Sequence, residues 1–264
     1  MIVSEADQNT DAWVQERLGK PSASCFKEIV TTKGIRSKSR TKYLYRLAGE
    51  QISGEQYKGF YSKDMALGHE REDEARRQYG FRNGVTVQEV GFCYYDERRL
   101  FGASPDGLVG DFGGFENKNA APHIQIERLE EGWSGKEHYQ QVQGALFVLG
   151  REWWDLNSYC RGMEPVTIRF ERDEEFIKAL HRELIIFCSD LSEMVDRNRR
   201  NEYITVVEPE QLPEKTYPVF PEIEALRIDD SELMTQLEEK YDKPTHARQA
   251  AMIVREFNKQ KGNS

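Results

Sequence analysis

The chain has 264 residues, 38% of them hydrophobic and 31% charged, and its 13 Phe, 12 Tyr and 4 Trp are too many for a disordered polypeptide. No stretch approaches the roughly 20 apolar residues of a membrane span, and the start MIVSEADQNTDAW lacks the basic and apolar parts of a secretion signal, which predicts a globular protein of the cytoplasm with no membrane partner. A net charge of −9 argues against non-specific coating of nucleic acid, yet the charge is uneven: residues 33–46 hold six cations and no acid, while residues 201–242 hold 12 acids and three bases.

In chain order, the pattern predicts a helix over residues 11–18, broken by Gly19 and Pro21, and a restart with Ser22 or Ser24 as N-cap. A second helix follows Ser39, with Tyr43, Leu44, Leu47 and Ala48 on one face, and a third, charged on most faces, runs over 62–79 and stops at Gly80. Between residues 85 and 118 the period changes to short β-type runs separated by turn residues, which reads as one antiparallel meander. Residues 137–149 read as a helix, 153–160 and 165–170 as strands, and 173–197 as a long amphipathic helix capped by Asp173. This order predicts an α/β (α+β) protein, a mixed central sheet flanked by helices. After Arg200 four of the nine prolines fall within 13 residues, Pro209 to Pro221, and two short amphipathic helices are expected over 229–241 and 245–259. The chain therefore divides into residues 1–200, which carry the chemistry, and a Pro-rich acidic connector with terminal helices, 201–264.

The informative stretch is Ser104-Pro105-Asp106-Gly107, followed by Glu116-Asn117-Lys118. Residues two apart on a strand share a face, so Glu116 and Lys118 project together, and a hairpin turning at Asp106 brings two carboxylates and an ammonium to one place. Oxygen ligands suit a hard cation such as Mg2+, and a lysine beside it can orient or deprotonate water and stabilise charge on a phosphoryl group, which is the chemistry of phosphodiester hydrolysis. Separately the two motifs are ordinary: SPDG is a good β-turn, and a Glu/Lys pair on a strand is most often a solvated surface pair. Their joint occurrence with Gly68-x-x-x-Glu72-x-x-Ala75-Arg76 upstream and Gln141-Val142-Gln143 downstream is what carries weight. The four cysteines lie at least 28 positions apart, and the five histidines show no HxH or HExxH spacing. Reduced thiols are thus expected, and a zinc site is not.

These pieces, with Trp13-x-x-x-Arg17-Leu18-Gly19-x-x-Ser22-Ala23-Ser24 at the start, resemble in order the lambda-exonuclease family of YqaJ-like viral recombinases, within the PD-(D/E)xK nuclease superfamily, over about residues 11–195. The resemblance implies a restriction-endonuclease-like core. It also implies a 5′→3′ exonuclease on double-stranded DNA ends, dependent on Mg2+ (for which Mn2+ can substitute), that leaves 3′ single strands for annealing recombination. Asp106, Glu116 and Glu72 are implied as metal ligands, Lys118 and Gln141 as the groups that place the attacking water, and Arg17, Ser24 and Ser104 as the pocket for a 5′-phosphate. A ring of three subunits, a single-strand annealing protein as partner, and a phage or prophage origin in a bacterial cytoplasm are implied by the same resemblance. The ring would let basic residues face the DNA while acids face outward, and Lys38, Arg40 and Lys42 of the basic segment are expected to line its channel. Two departures stand out: Asn117 sits where the family has an apolar residue and so needs a buried partner, and Asn119-Ala120-Ala121-Pro122 follows Lys118 in place of a short Cys-Pro. Two other readings fit the same motifs, a structure- or site-specific endonuclease on this fold and a catalytically silent module that binds DNA ends or a partner. Linear against closed circular duplex, with and without Mg2+, discriminates the three.

Overall fold

The computed structural model describes residues 2–57 and 63–199, with the side chains of 63–70 left aside. The chain divides into two compact units, Met1–Tyr203 and Ile204–Ser264. The connector and terminal helices expected after residue 200 lie outside the described residues.

Unit one begins with β1 (Ile2–Val3) and α1 (Asp11–Arg17), whose N-terminus is capped by the Thr10 hydroxyl accepting from Trp13 N at 3.2 Å. The expected restart at Ser22 is a short 3-10 helix, Ala23–Glu28; the Ser22 side chain bonds the Ser24 hydroxyl instead of capping the backbone. Then come α2 (Arg40–Ser53) and α3 (Lys63–Asn83). Helix α3 passes through Gly80 and stops before Gly84, whose φ of 65° suits a glycine; a glycine inside a helix weakens it but does not break it when tertiary contacts hold the next turn. Five strands come next: β2 (Val87–Gln88), β3 (Cys93–Tyr94), β4 (Gly102–Ala103), β5 (Gly107–Val109) and β6 (Gly113–Asn119). After α4 (Pro122–Glu130) and α5 (Tyr139–Leu149), the unit closes with β7 (Trp153–Tyr159), β8 (Val166–Glu171) and α6 (Glu174–Arg199), the last capped by Asp173 Oδ1 accepting from Phe176 N at 3.0 Å.

The predicted single meander is two sheets. Strands β1-β3-β4 form a small antiparallel one, while β2-β5-β6-β7-β8 form the main sheet, antiparallel except where β6 and β7 run parallel. A parallel pair needs a crossover, and α4 and α5 supply it. Helix α4 is absent from the sequence reading, although Pro122 at its first turn is a start signal. The class expected from sequence, a mixed sheet flanked by helices, is what the chain adopts.

One face of the main sheet meets the large core. Leu108 of β5 and Trp154 and Leu156 of β7 pack with Val142, Leu146 and Val148 of α5, Leu180, Leu184 and Phe187 of α6, Tyr43 and Leu47 of α2, and Phe26 of the 3-10 helix. Burying aliphatic and aromatic side chains of this size contributes about 1.5–3 kcal/mol each. The opposite face holds a smaller cluster, Tyr79 of α3 with Val109 and Phe115. Beside it, Asp155 is buried yet satisfied: Tyr79 Oη donates to it at 2.6 Å and Arg169 makes a bidentate pair with it. Among the described residues no helix is long and apolar enough to cross a membrane.

Candidate active site

Strand alternation places Phe115, Asn117 and Asn119 on one face of β6 and Glu116 and Lys118 on the other. The β5–β6 register pairs Gly107 with Phe115, so Asp106, just before β5, arrives beside Glu116, and its Oδ2 accepts from the backbone N–H of Asn117 at 2.7 Å. Glu116 is buried, and Lys118 Nζ donates to its Oε1 at 2.8 Å. From the first turn of α5, Gln141 closes a triangle, with Nε2 donating to the same Oε1 at 2.5 Å and Oε1 accepting from Lys118 Nζ at 3.1 Å. Glu72 reaches the group from α3 as a neighbouring negative charge felt by both Asp106 and Lys118. Arg76, one turn along α3, donates from Nε to the Asp106 carbonyl at 2.8 Å and so ties the helix to the turn.

The electrostatics are those of crowded carboxylates. Burial, the Glu116 charge and the Glu72 charge hold the Asp106 carboxyl well above its ordinary range, against Lys118. Burial works to lower the Lys118 pKa, but Glu116, Asp106 and Glu72 outweigh it and the ammonium is held charged. A set of oxygen donors whose crowded negative charge Lys118 offsets only in part fits a small hard cation. Among the described residues no three His, Cys, Asp or Glu side chains gather closely enough to hold an ion by themselves, so Glu72, expected as a third ligand, stands here as a charge near Asp106 and Lys118. Two carboxylates completed by water match Mg2+, which keeps part of its hydration shell.

Asn117 meets the need its burial creates. Asn157 Nδ2 on β7 donates to its Oδ1 at 2.9 Å, its own amide donates to Asn119 Oδ1 at 3.1 Å, and Thr167 Oγ1 on β8 donates to Asn157 Oδ1 at 2.9 Å, a polar ladder across three strands.

A second cluster lies at the start of the chain. The Arg17 guanidinium stacks 4.1 Å over Trp13, and burial lowers its pKa against the pull of Cys25, Tyr43 and Glu50. Among the described residues it has no hydrogen-bond acceptor. Trp13, a core residue on its hydrophobicity, is half-buried beneath that guanidinium. Ser24 is exposed, with its hydroxyl 3.1 Å from that of Ser22. A bridge between Ser22 and Gly102 lays this segment alongside β4, which leads into Ser104, whose buried hydroxyl finds no partner among the described residues. Arg17, Ser24 and Ser104 thus come from three segments held side by side, with Ser104 two residues from Asp106.

The basic segment divides. Arg36 pairs with Glu183 at 2.7 Å, and Arg40 with Asp190 at 2.6 Å while stacking on Phe187, both against α6. Arg40 is therefore committed to the fold, whereas Lys38 and Lys42 project from it, and Lys42 with Arg46 lines an open depression of about 1620 Å3 beside α1 and α2. Arg46 stacks 4.7 Å over Tyr43 and feels the same Cys25, Tyr43 and Glu50 as Arg17 does. The sequence reading gives no separate role to Arg46 or His138. His138 ends the short 3-10 helix Lys136–His138 just before α5, and its nearness in sequence to Gln141 is the signal that could have found it.

The sequence model of the YqaJ-like viral recombinase domain matches residues 12–152. Among solved structures, the chain is similar to an alkaline exonuclease (LHK-Exo) from Laribacter hongkongensis, alone and in complex with dAMP: 32% identity, TM-score 0.65, over 73% of this chain and 97% of that one. A phage-related exonuclease from Haemophilus somnus 129PT, 13% identical, matches in fold with a TM-score of 0.54 over 68% of this chain and 96% of its own. No curated protein sequence matches. The sheet order and its flanking helices are those of the PD-(D/E)xK fold.

Proposed function

The chain belongs to the YqaJ-like viral recombinase family, and from that premise we propose that it is a Mg2+-dependent 5′→3′ exonuclease on linear double-stranded DNA, leaving 3′ single strands for annealing recombination. The observation that carries this reading is the Asp106–Glu116–Lys118–Gln141 cluster, in which two crowded carboxylates lie within reach of a charged lysine and a glutamine. Asp106 and Glu116 would hold the ion, with Glu72 adding charge nearby, and a bound Mg2+ would supply Lewis-acid activation of water and neutralise the phosphoryl oxygens. Lys118, kept as an ammonium by its acidic neighbours, donates hydrogen bonds to the attacking water or the developing phosphorane oxygen instead of taking a proton. Gln141 fixes the lysine and, through its amide, the water's orientation.

End dependence rests on the second cluster. A guanidinium without an acceptor among the described residues, an exposed serine hydroxyl and a buried unpartnered one suit the several acceptor oxygens of a terminal phosphate. They lie one short segment from Asp106, as cutting close to the end requires. The test is linear duplex labelled at either end, against closed circular duplex, with and without Mg2+. Metal-dependent release of 5′ nucleotides from the linear form alone is expected. Cutting of the circle, or release from 3′ ends, would overturn the reading.

A further inference from the structure

Among the described residues, outside the Asp106–Glu116 cluster and the Arg17 pocket, a group of charged side chains converges from separate elements around His138. His138 ends a short 3-10 helix, Lys136–His138, immediately before α5, and its imidazole lies within electrostatic reach of the Lys118 ammonium that Gln141 contacts. The 3-10 helix Ala23–Glu28 packs against α5 so closely that a Cβ at Gly144 would lie 2.4 Å from Phe26 Cδ2, and Gln140 Nε2 donates to the Val30 carbonyl at 3.4 Å. That contact brings exposed Lys27 to the first turn of α5. In a 3-10 helix residues three apart stack on one side, so Lys27 projects on the same side as Ser24.

The third contributor is Arg128 of α4. Its guanidinium lies 4.1 Å over Trp133, whose Nε1 donates to Glu137 Oε1 at 2.7 Å, and its Nη1 donates to Ser158 Oγ at 2.8 Å. His138 rests edge-on against the same Trp133, with ring centroids 6.1 Å apart. Glu137 is the acid that faces the imidazole among the described residues, and it is already engaged by Trp133 and Arg128. Burial, then Lys118, with Arg128 and Lys27 adding to them, pushes the His138 pKa down to about 4, so the imidazole is neutral at working pH and keeps both a donor and an acceptor. Around the neutral imidazole, Lys27 and Arg128 thus stand against Glu137, with Trp133 as an aromatic backing and Lys118 within electrostatic reach.

We propose that Lys27 and His138, with Arg128 behind them, bind the phosphodiester backbone of the strand that runs from the Ser24 pocket into the Asp106–Glu116 site. The inference rests on the nuclease reading above and extends it to two residues that touch substrate. Lys27 supplies charge to a phosphate oxygen, and the His138 N–H supplies a directed hydrogen bond.

The experiment uses the full chain and 5′-phosphorylated linear duplex. It measures kcat and KM with Mg2+, and DNA affinity without divalent ions across a salt series, for wild type, Lys27→Gln, His138→Ala and His138→Gln. Lys27→Gln should raise KM about tenfold with kcat little changed, and lower the slope of log affinity against log salt by about 0.9. His138→Ala should weaken binding about tenfold without altering the salt slope, and His138→Gln, which keeps an N–H donor, should recover most of the loss. An unchanged KM and slope in Lys27→Gln would overturn the proposal. So would a His138→Ala defect that tracks a lowered Tm and is not recovered by glutamine. Wild-type protein that leaves linear duplex intact would instead bring down the nuclease reading on which the proposal stands, and that outcome is visible before any variant is compared.

Discussion

At Asp106 function and stability pull in opposite directions. Its carboxyl is held well above the ordinary range by burial and by Glu116 and Glu72, so in the metal-free protein the folded state favours the protonated form. A raised acid pKa contributes stability that is full below the unfolded value and lost as pH rises through the folded one. Asp106→Asn should therefore stabilise the metal-free protein by about 1 kcal/mol at pH 8, with the gain fading toward pH 4. Thermal melts at the two pH values check this, and an equal shift at both would remove the charge argument. The same variant should lose Mg2+ binding in calorimetry. Lys118→Ala should keep Mg2+ binding and lose turnover by about two orders of magnitude or more, because the ammonium acts on the water and the transition state and does not hold the ion. At Arg17 the expected readout is the rate ratio of 5′-phosphate to 5′-hydroxyl duplex: above one in wild type, and near one in Arg17→Ala. Equal ratios in both proteins would leave Arg17 as a residue that only stacks on Trp13.

Among the elements, the crossover α4–α5 does more for the site than its length suggests. It lets β6 and β7 run parallel, carries Gln141 to Lys118, and docks the 3-10 helix of Ser24 at Gly144. Gly144→Ala should cost about 1–3 kcal/mol, since Phe26 is fully buried and has no room to retreat, and a Tm within a degree of wild type would show that the pair repacks freely. The basic segment behaves as two sets. Arg40→Ala should lower stability by about 1–2 kcal/mol through its pair with Asp190 and its stacking on Phe187. Neutralising Lys38 and Lys42 should leave stability alone and, if they line the DNA path, reduce the salt slope of binding by about 2.

For the whole molecule, the acidic balance is compatible with DNA binding only if the charges are segregated. Positive groups gather at Arg17, Lys27, Arg46, Lys118 and Arg128, on the first unit, while residues 201–242 concentrate −9. A ring of three subunits with such cations facing the DNA is the proposed way to present them, and solution scattering or light scattering should give a mass three times 30.7 kDa. A protein ending at Asn201 should still bind Mg2+ and hydrolyse duplex, with losses in assembly or partner binding. If it were folded by circular dichroism yet inactive at high concentration, the second unit would have to contribute to the site itself.

Short-range rules were enough for the sequence alone to determine which residues meet at the centre of the candidate site and where the main helices run. Strand alternation sets Glu116 and Lys118 on one face, turn chemistry sets Asp106 at the hairpin, and apolar period gives α2, α5 and α6 with their buried stripes. The tertiary structure decided everything that depends on which surfaces meet. The runs between residues 85 and 118 look alike locally, but β3 and β4 pair with the N-terminal strand while β2 and β5 join the main sheet, a choice made by packing and not by propensity. Helix α3 outlasts Gly80 because Tyr79 is locked to Phe115 and Asp155. Arg40 and Lys42 are two residues apart in one basic run; helix geometry turns the first toward Asp190 on α6 and the second to solvent, and charge counted along a chain carries no such direction.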